Sequence, residues 1–303
     1  MNYKLSIGMP VFNEEQFISE TVESILGQKY GNFELIIIDN NSSDDTYKIL
    51  KSFENKDSRV KIYKNNTNIG MFNNFNLAFE MAKGDFFMWA GAHDILDPNY
   101  LTHMFLKREE LDNDPDLIFS NVAHIDEVGE SIEGFKSVGF TWNSGKIGSN
   151  FRLPWIIKGS GDMVYGIFKR ETLERSGRFS RVMWADVLLI HEVSFGGTIE
   201  RLDSPLRKRR YKPDQANFRS KNWTEKYKER TDRYRKTSQK NVTWDLYLPN
   251  IVMFFRIVFH LGIKHNYFNF IRFGMSIYVA TVFLWKHKRA ALIDFEVLFK
   301  KIL

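Results

Sequence analysis

Phe33–Ile38 (FELIII) is mostly apolar and rich in β-branched residues, and it stops abruptly at Asp39-Asn40-Asn41-Ser42-Ser43-Asp44-Asp45-Thr46. A short run without a polar face is what a strand covered on both sides requires. The polar break after it supplies caps for a helix over Tyr47–Phe53. The same alternation recurs through the first half of the chain. Leu5–Phe12 reads as a strand ending at Asn13-Glu14, and Phe17–Leu26 has helical spacing. Val60–Tyr63, Asp85–Trp89 and Asp116–Val122 read as further strands, with a helix over Met71–Ala82. This spacing predicts an α/β fold, a mostly parallel, doubly wound sheet with flanking helices. Ligands of such sheets sit beyond the carboxyl ends of the strands. The residues there are Asn13-Glu14, Asp39-Asn40, Asn65–Gly70 and Ala90–Asp94, mostly carboxylates, amides and small side chains.

The chemistry open to that site is bounded by what the chain lacks. Its 303 residues include no cysteine, which removes disulfides, cysteine-ligated zinc, iron–sulfur clusters and thiol nucleophiles. No Gly-x-Gly-x-x-Gly follows the first strand and no Gly-x-x-x-x-Gly-Lys-Ser/Thr occurs, so the two commonest phosphate-cradling loops are absent. The start leads straight into a strand-like run without a secretory signal, and a cytoplasmic setting is expected. The net charge of +6 is unevenly spread: Arg219–Leu303 holds 17 Lys/Arg against 6 Asp/Glu. A mildly acidic body with a basic tail predicts an enzyme whose tail faces something anionic.

Pro10-Val11-Phe12-Asn13-Glu14, followed by Ile38–Thr46, resembles the opening of the family 2 nucleotide-sugar glycosyltransferases. Asn68-x-Gly70, Asn76-x-Ala78 and Ala82-Lys83-Gly84 continue the likeness at the family's spacing. Tyr165–Arg170, Trp184-Ala185-Asp186 and Arg209-Arg210 with Pro213-Asp214-Gln215 look like its acceptor half. The resemblance implies a GT-A type fold with a catalytic domain over residues 1–217, divided near residue 120 into nucleotide-sugar and acceptor halves, and a tail over 218–303.

By position, the resemblance implies that Asp39 contacts the nucleotide base and that Pro10, Phe12, Asn13 and Glu14 pack around it. Asn41, Asn68, Gly70 and Asn76 complete that half. A carboxylate at a strand end can accept a base N–H in a charge-assisted bond. It can equally close an Asx turn, and helix capping explains Asp44 and Asp45. The family's metal motif, Asp-x-Asp-Asp, aligns with Gly91-Ala92-His93-Asp94. Three readings compete there. Manganese or magnesium binds at Asp94 beside His93, or His93 as imidazolium helps neutralise the diphosphate without a metal, or the site is degenerate. Asp186 stands where the family has its catalytic base, although it could also cap a helix over Val187–Phe195. Arg209 and Arg210, within the run Arg207–Arg210, stand where the family stabilises the leaving group; the alternative is a solvated face. Asp162 and Tyr165 fall in the segment that shapes the acceptor pocket. Trp142, Trp155 and Trp184 could stack on a sugar or fill the core.

In the tail, Arg219–Lys240 reads as a charged helix. Leu248–Ile263 and Phe268–Trp285 are apolar but broken by Arg256, His260 and Arg272. The longest charge-free run, Phe273–Trp285, is short of the roughly 20 residues that span a bilayer. An anionic membrane surface is the expected partner, with a helical hairpin packed on the body or a contact between copies as the alternative. The protein is thus expected to be an inverting transferase at the inner face of the cell membrane. It would move a sugar to a glycan or lipid-linked acceptor in surface-polysaccharide synthesis. The alternative is a non-catalytic nucleotide-sugar binder. No nucleic-acid module is evident, and none is expected as partner.

Overall fold

The computed structural model describes residues 4–134, 138–145, 149–157, 160–212, 222–237, 248–263 and 270–302. The first half follows the alternation of the sequence: β1 (Leu5–Val11), α1 (Ile18–Leu26), β2 (Phe33–Asp39), α2 (Thr46–Glu54), β3 (Val60–Lys64), α3 (Met71–Glu80) and β4 (Phe86–Trp89). After it come β5 (Ile95–Leu96), α4 (Tyr100–Glu109), β6 (Leu117–Ile125), β7 (Trp142–Asn143), α5 (Ser149–Ile156), α6 (Ser160–Met163) and β8 (Ile167–Lys169). Then follow α7 (Arg170–Arg175), α8 (Ala185–Gly196) and β9 (Thr198–Arg210). The strands form one mixed, mostly parallel sheet in the order β3-β2-β1-β4-β8-β6-β9-β5, with β7 beside β9. β1 to β4 are mutually parallel, β8 runs against both β4 and β6, and β9 is again parallel to β6.

The period-2 geometry of the strands divides the core between two faces. Leu35 and Ile37 of β2 join Ile18, Val22 and Ile25 of α1 and Tyr100 and Met104 of α4. Ile36 and Ile38 face the other way, with Ala78 and Phe79 of α3 and Leu188 and Leu189 of α8. This explains why β2 reads as an unbroken apolar run. Both sides are buried, so no position is left for polar alternation.

The tail packs on the second face. Met253, Ile257, Val279 and Phe283 are buried in the same cluster as α8. They belong to helices Pro249–Val258 and Phe270–Lys286; among the described residues the other tail helices are Trp223–Thr237 and Lys288–Ile302, and a π-helical turn covers Phe259–Ile263. Asp294, on the last helix, accepts hydrogen bonds from Tyr227 Oη (2.6 Å) and Asn250 Nδ2 (2.8 Å), tying three helices together. Among the described residues no helix is long and apolar enough to cross a membrane.

The strand order reverses at β1, since β2 and β3 lie on one side of it and β4 on the other. A crevice opens outside the carboxyl ends at such a point, between the loops after β1 and β4. The approach of α3 to this part of the sheet depends on Gly8. A Cβ there would lie 2.6 Å from Phe87 Cζ and 3.0 Å from Ala78 Cβ. Gly8→Ala is expected to destabilise the protein by about 1–3 kcal/mol through overpacking, read as a lower urea midpoint at unchanged m-value.

Candidate functional site

The loops at the carboxyl ends of β1, β2 and β3 are joined by their own side chains. Asn13 (φ 52°) and Asn41 (φ 62°) adopt left-handed backbone at the turns, a conformation asparagine tolerates better than most residues. The Asn13 amide donates to Ser42 Oγ (2.9 Å), and its side-chain carbonyl accepts from the Ser43 amide (2.9 Å). Asn40 donates to Asn68 Oδ1 (2.8 Å), which also accepts the amide of Gly70, where φ is 83° at the start of α3. Asp39 is fully buried and accepts the Ser42 amide at 3.2 and 3.3 Å, an Asx-type turn. Asp44 accepts the amides of Thr46 and Glu15, whereas Asp45, the N-cap of α2, makes no side-chain capping bond, so of the pair expected to cap this helix only Asp44 bonds its first turn. Asn76 stands apart, exchanging both of its amide hydrogen bonds with the backbone of Phe179 (3.0 and 3.1 Å). Phe12, at the end of β1, is 46% exposed.

Beside these loops lies a cavity of about 420 Å³. Its lining includes the polar or small residues Gly91, His93, Asp94, Tyr165, Asp186 and Arg209 and the apolar Phe72, Phe75, Phe179 and Met183. Of the expected residues, the structure gathers His93, Asp94, Tyr165, Asp186 and Arg209 here. It leaves Pro10 to Glu14, Asp39, Asn41, Asn68 and Gly70 in the neighbouring loops. Pro213 to Gln215 lie outside the described residues. Trp142 and Trp184 donate their indole N–H to Ser194 O and Asn250 Oδ1, and Trp155 packs on Trp285 of the tail.

The cavity floor is an ion cluster built by β9. Residues 207 and 209 share a side of this strand, and both guanidinium groups reach Asp162 on α6 (2.9 and 3.0 Å). Arg207 also binds Asp94 Oδ2 at 2.5 Å and lies over the Tyr165 ring. Its side chain is 4% exposed, and those of Asp94 and Asp162 are 6% and 7%. Burial works against the Arg207 charge, yet Asp94 and Asp162 outweigh it and hold its pKa above the ordinary value. Burial pushes the Tyr165 hydroxyl up to about 12, with Asp94 adding to the effect, so it remains protonated as a donor at neutral pH. Arg210 turns the other way, pairing with Glu20 of α1 and donating to the carbonyls of His93 and Glu127. The run Arg207–Arg210 is therefore a strand end with alternating partners rather than a solvated face.

Glu14 links this cluster to the β1 loop through His93 Nδ1 (3.3 Å) and Lys212 (2.7 Å). Burial disfavours its carboxylate, but His93 and Lys212 outweigh that and lower its pKa. Its Oε2 is buried without a hydrogen-bond partner among the described residues.

Asp186 lies in the first turn of α8, whose N-cap is Trp184, and the helix start shows no side-chain capping bond. Its Oδ2 accepts from Ser160 Oγ at 2.8 Å instead. The two cavity carboxylates differ accordingly. Asp94 has both oxygens engaged, by Arg207 and by the Arg210 amide. Asp186 has a neutral hydroxyl partner and faces the cavity.

Two features of the site went unread in the sequence. Arg207 was seen as one member of a basic run. Its signal was the period-2 relation to Arg209, which only a strand assignment makes visible. Arg230 and Tyr234 also line the cavity, from helix Trp223–Thr237 in the tail. Their i,i+4 spacing places them on one helix face.

Sequence and structure comparisons agree with this geometry. The sequence profile of Glycosyl transferase family 2 matches residues 6–171. An uncharacterised glycosyltransferase of Methanocaldococcus jannaschii is 36% identical over 134 residues, 44% of this chain and 46% of that protein. The glycosyltransferase GlyG of Streptococcus pneumoniae is 28% identical over 127 residues, 42% of each chain. A dolichyl N-acetyl-alpha-D-glucosaminyl phosphate 3-beta-D-2,3-diacetamido-2,3-dideoxy-beta-D-glucuronosyltransferase of Methanococcus voltae is 36% identical over 119 residues, 36% of each. The chain thus covers less than half the length of these curated relatives. Among solved structures, S. aureus TarS 1-349 in complex with UDP-GlcNAc superposes with a TM-score of 0.64 at 18% identity, covering 94% of this chain and 72% of that one. The mannosyltransferase PcManGT of Pyrobaculum calidifontis, in complex with GDP-Man and Mn2+, gives 0.53 at 13% identity, covering all of this chain and 80% of the other. These likenesses show a GT-A type fold.

Transferases of this fold often use a divalent metal, and the residues here do not suit one. Of the aligned motif only Asp94 is a carboxylate, and a guanidinium and an amide already occupy its oxygens. Among the described residues no group of three or more His, Asp or Glu side chains is arranged to hold a metal ion. Arg207→Met should leave Asp94 and Asp162 buried without their main counter-charge. A loss of about 3–5 kcal/mol is expected, measured by denaturant unfolding, with part recovered by adding Asp162→Asn.

Proposed function

The chain belongs to glycosyl transferase family 2, and from that premise we propose that it moves a sugar from a nucleoside-diphosphate donor to an acceptor hydroxyl with inversion at the anomeric carbon. The observation that carries this reading is that Asp186 and the basic side chains Arg209 and His93 line one cavity. Asp186 takes the proton of the acceptor hydroxyl as its oxygen bonds to the anomeric carbon. The bond from that carbon to the diphosphate oxygen breaks on the opposite side, and the leaving nucleoside diphosphate keeps the electron pair. Cations beside the leaving group stabilise the charge that develops there. The nucleoside lies towards the β1 and β2 loops. The base contact expected of Asp39 requires the turn over it to open, since that carboxylate is buried beneath Ser42. The nucleotide sugars bound by TarS and PcManGT support the donor class.

For the acceptor we propose a glycan or lipid-linked chain entering along the apolar wall of Phe72, Phe75, Phe179 and Tyr234. Support for a lipid surface comes from the tail. Phe255 and Phe259 are 65% and 47% exposed, Leu292 and Trp285 are 69% and 57% exposed, and Arg256, Lys288 and Arg289 lie among them in sequence and are exposed as well. Aromatic and aliphatic side chains mixed with cations suit the interface of an anionic leaflet. The methanococcal dolichyl-phosphate relative fits the same reading.

With a panel of nucleotide sugars and isolated glycan acceptors, one donor should release its nucleoside diphosphate. Asp186→Asn should lower kcat by about 10²–10⁴-fold while donor binding in calorimetry is unchanged. Loss of donor binding together with activity would refute the base assignment. In flotation assays the protein should rise with phosphatidylglycerol vesicles and not with phosphatidylcholine vesicles, and Phe255→Ser with Phe259→Ser should abolish this.

A further inference from the structure

Resting on the donor reading above, we propose that this chain binds the diphosphate of its donor without a divalent metal, through a cluster of its own cations in which Arg209 makes the direct contact and His93 and Lys212 complete the field. A metal-binding carboxylate pair works because its negative charge has no protein partner, so an incoming cation is needed to balance it. Here that balance is already made. Arg207 and Arg209 face Asp94 and Asp162, while Arg210 pairs with Glu20 and Lys212 with Glu14. A divalent ion at Asp94 would have to displace Arg207, which is buried and cannot lose its proton. The alternative ligands are missing as well. Gly91 provides none, and a Cβ at that position would lie 2.9 Å from Asp94 Oδ2, so the ion pair leaves no room for a longer side chain. His93 is held by Glu14 rather than turned to Asp94.

The same cluster suits an anion. Arg209 lines the cavity, and its side chain is 39% exposed while its partner Asp162 is 7% exposed. One edge of the guanidinium is held by Asp162, and the fork keeps further N–H groups for phosphate oxygens. His93 lines the same cavity and remains within hydrogen-bond reach of Glu14, which Lys212 also binds. An arriving diphosphate would compete with Glu14 for His93 and Lys212, while the buried pairs of Arg207 with Asp94 and Asp162 stay intact.

Isothermal titration with UDP, GDP and TDP, each in EDTA and in millimolar manganese, tests this directly. The nucleotide that binds should have a Kd in EDTA within about twofold of that in manganese, and binding should weaken with added salt. Arg209→Gln should raise that Kd about tenfold or more, and raise it less for the matching nucleoside monophosphate, because one charge-assisted contact to the second phosphate is lost. A purely structural role of Arg209 would weaken both nucleotides alike. Binding that appears only with manganese, or tightens with it about tenfold or more, overturns the proposal and leaves the donor reading standing. No binding of any nucleotide under either condition overturns both.

Discussion

Arg207 is the charge around which the site is arranged. A guanidinium with 4% of its side chain exposed is costly to remove from water, and a buried arginine persists only with its partners in place. Those partners come from different parts of the chain: Asp94 from the loop after β4, Asp162 from α6, with the Tyr165 ring beneath. One ion cluster thus fixes the distance between the crevice at the strand ends and the segment that carries Ser160, which in turn holds Asp186. Gly91 belongs to the same device. A side chain at that position would crowd Asp94 as Arg207 holds it, since a Cβ there would lie 2.9 Å from Asp94 Oδ2.

The tail extends this construction rather than hanging from it. Tyr227, Thr231 and Tyr234 bury one face of helix Trp223–Thr237, while Arg230 stacks over Trp184 at 4.7 Å. Trp184 is the N-cap of α8 and donates to Asn250 on helix Pro249–Val258. The turn of α8 that carries Asp186 and the apolar cavity residues therefore rest on tail segments that also expose Phe255, Phe259 and Leu292. Anything that binds those exposed faces is mechanically close to the acceptor side of the cavity.

The strands β1 to β4 and β6, and the helices between the first four, were legible in the sequence because burial on two faces leaves an apolar run and polar turns leave a break. β8 and β9 were not. Ile167–Lys169 is too short for a periodic signal, and Thr198–Arg210 carries charge at positions that a core strand normally keeps apolar. The charge is there because the strand ends inside an ion cluster, which no local pattern announces. In the same way Asp162 read as an acceptor residue and proved to be a buried counter-ion. Asn76 read as a nucleotide contact, and both its amide atoms are spent on Phe179. His93, Asp94 and Asp186 could be placed from the spacing of motifs, but which of them were neutralised depended on Arg207, more than 100 residues away from Asp94 in the chain.

That distribution of partners is what favours the proposed roles. Two carboxylates face the cavity, and a catalytic base must keep a lone pair free and a proton-accepting oxygen exposed to substrate. Asp94 fails this condition because Arg207 and the Arg210 amide occupy both of its oxygens. Asp186 meets it, since a hydroxyl from Ser160 orients one oxygen without neutralising the group. On the leaving-group side the reverse holds, and cations must be available without being consumed by buried partners. Arg207 is consumed, bridging two buried carboxylates; Arg209 is held on one side only. On the proposed reading, the same strand supplies one arginine to build the site and one, two residues on, to act in it. Pleat geometry, which places alternate residues on the same side, is what lets β9 do both with a single buried Asp162 as anchor.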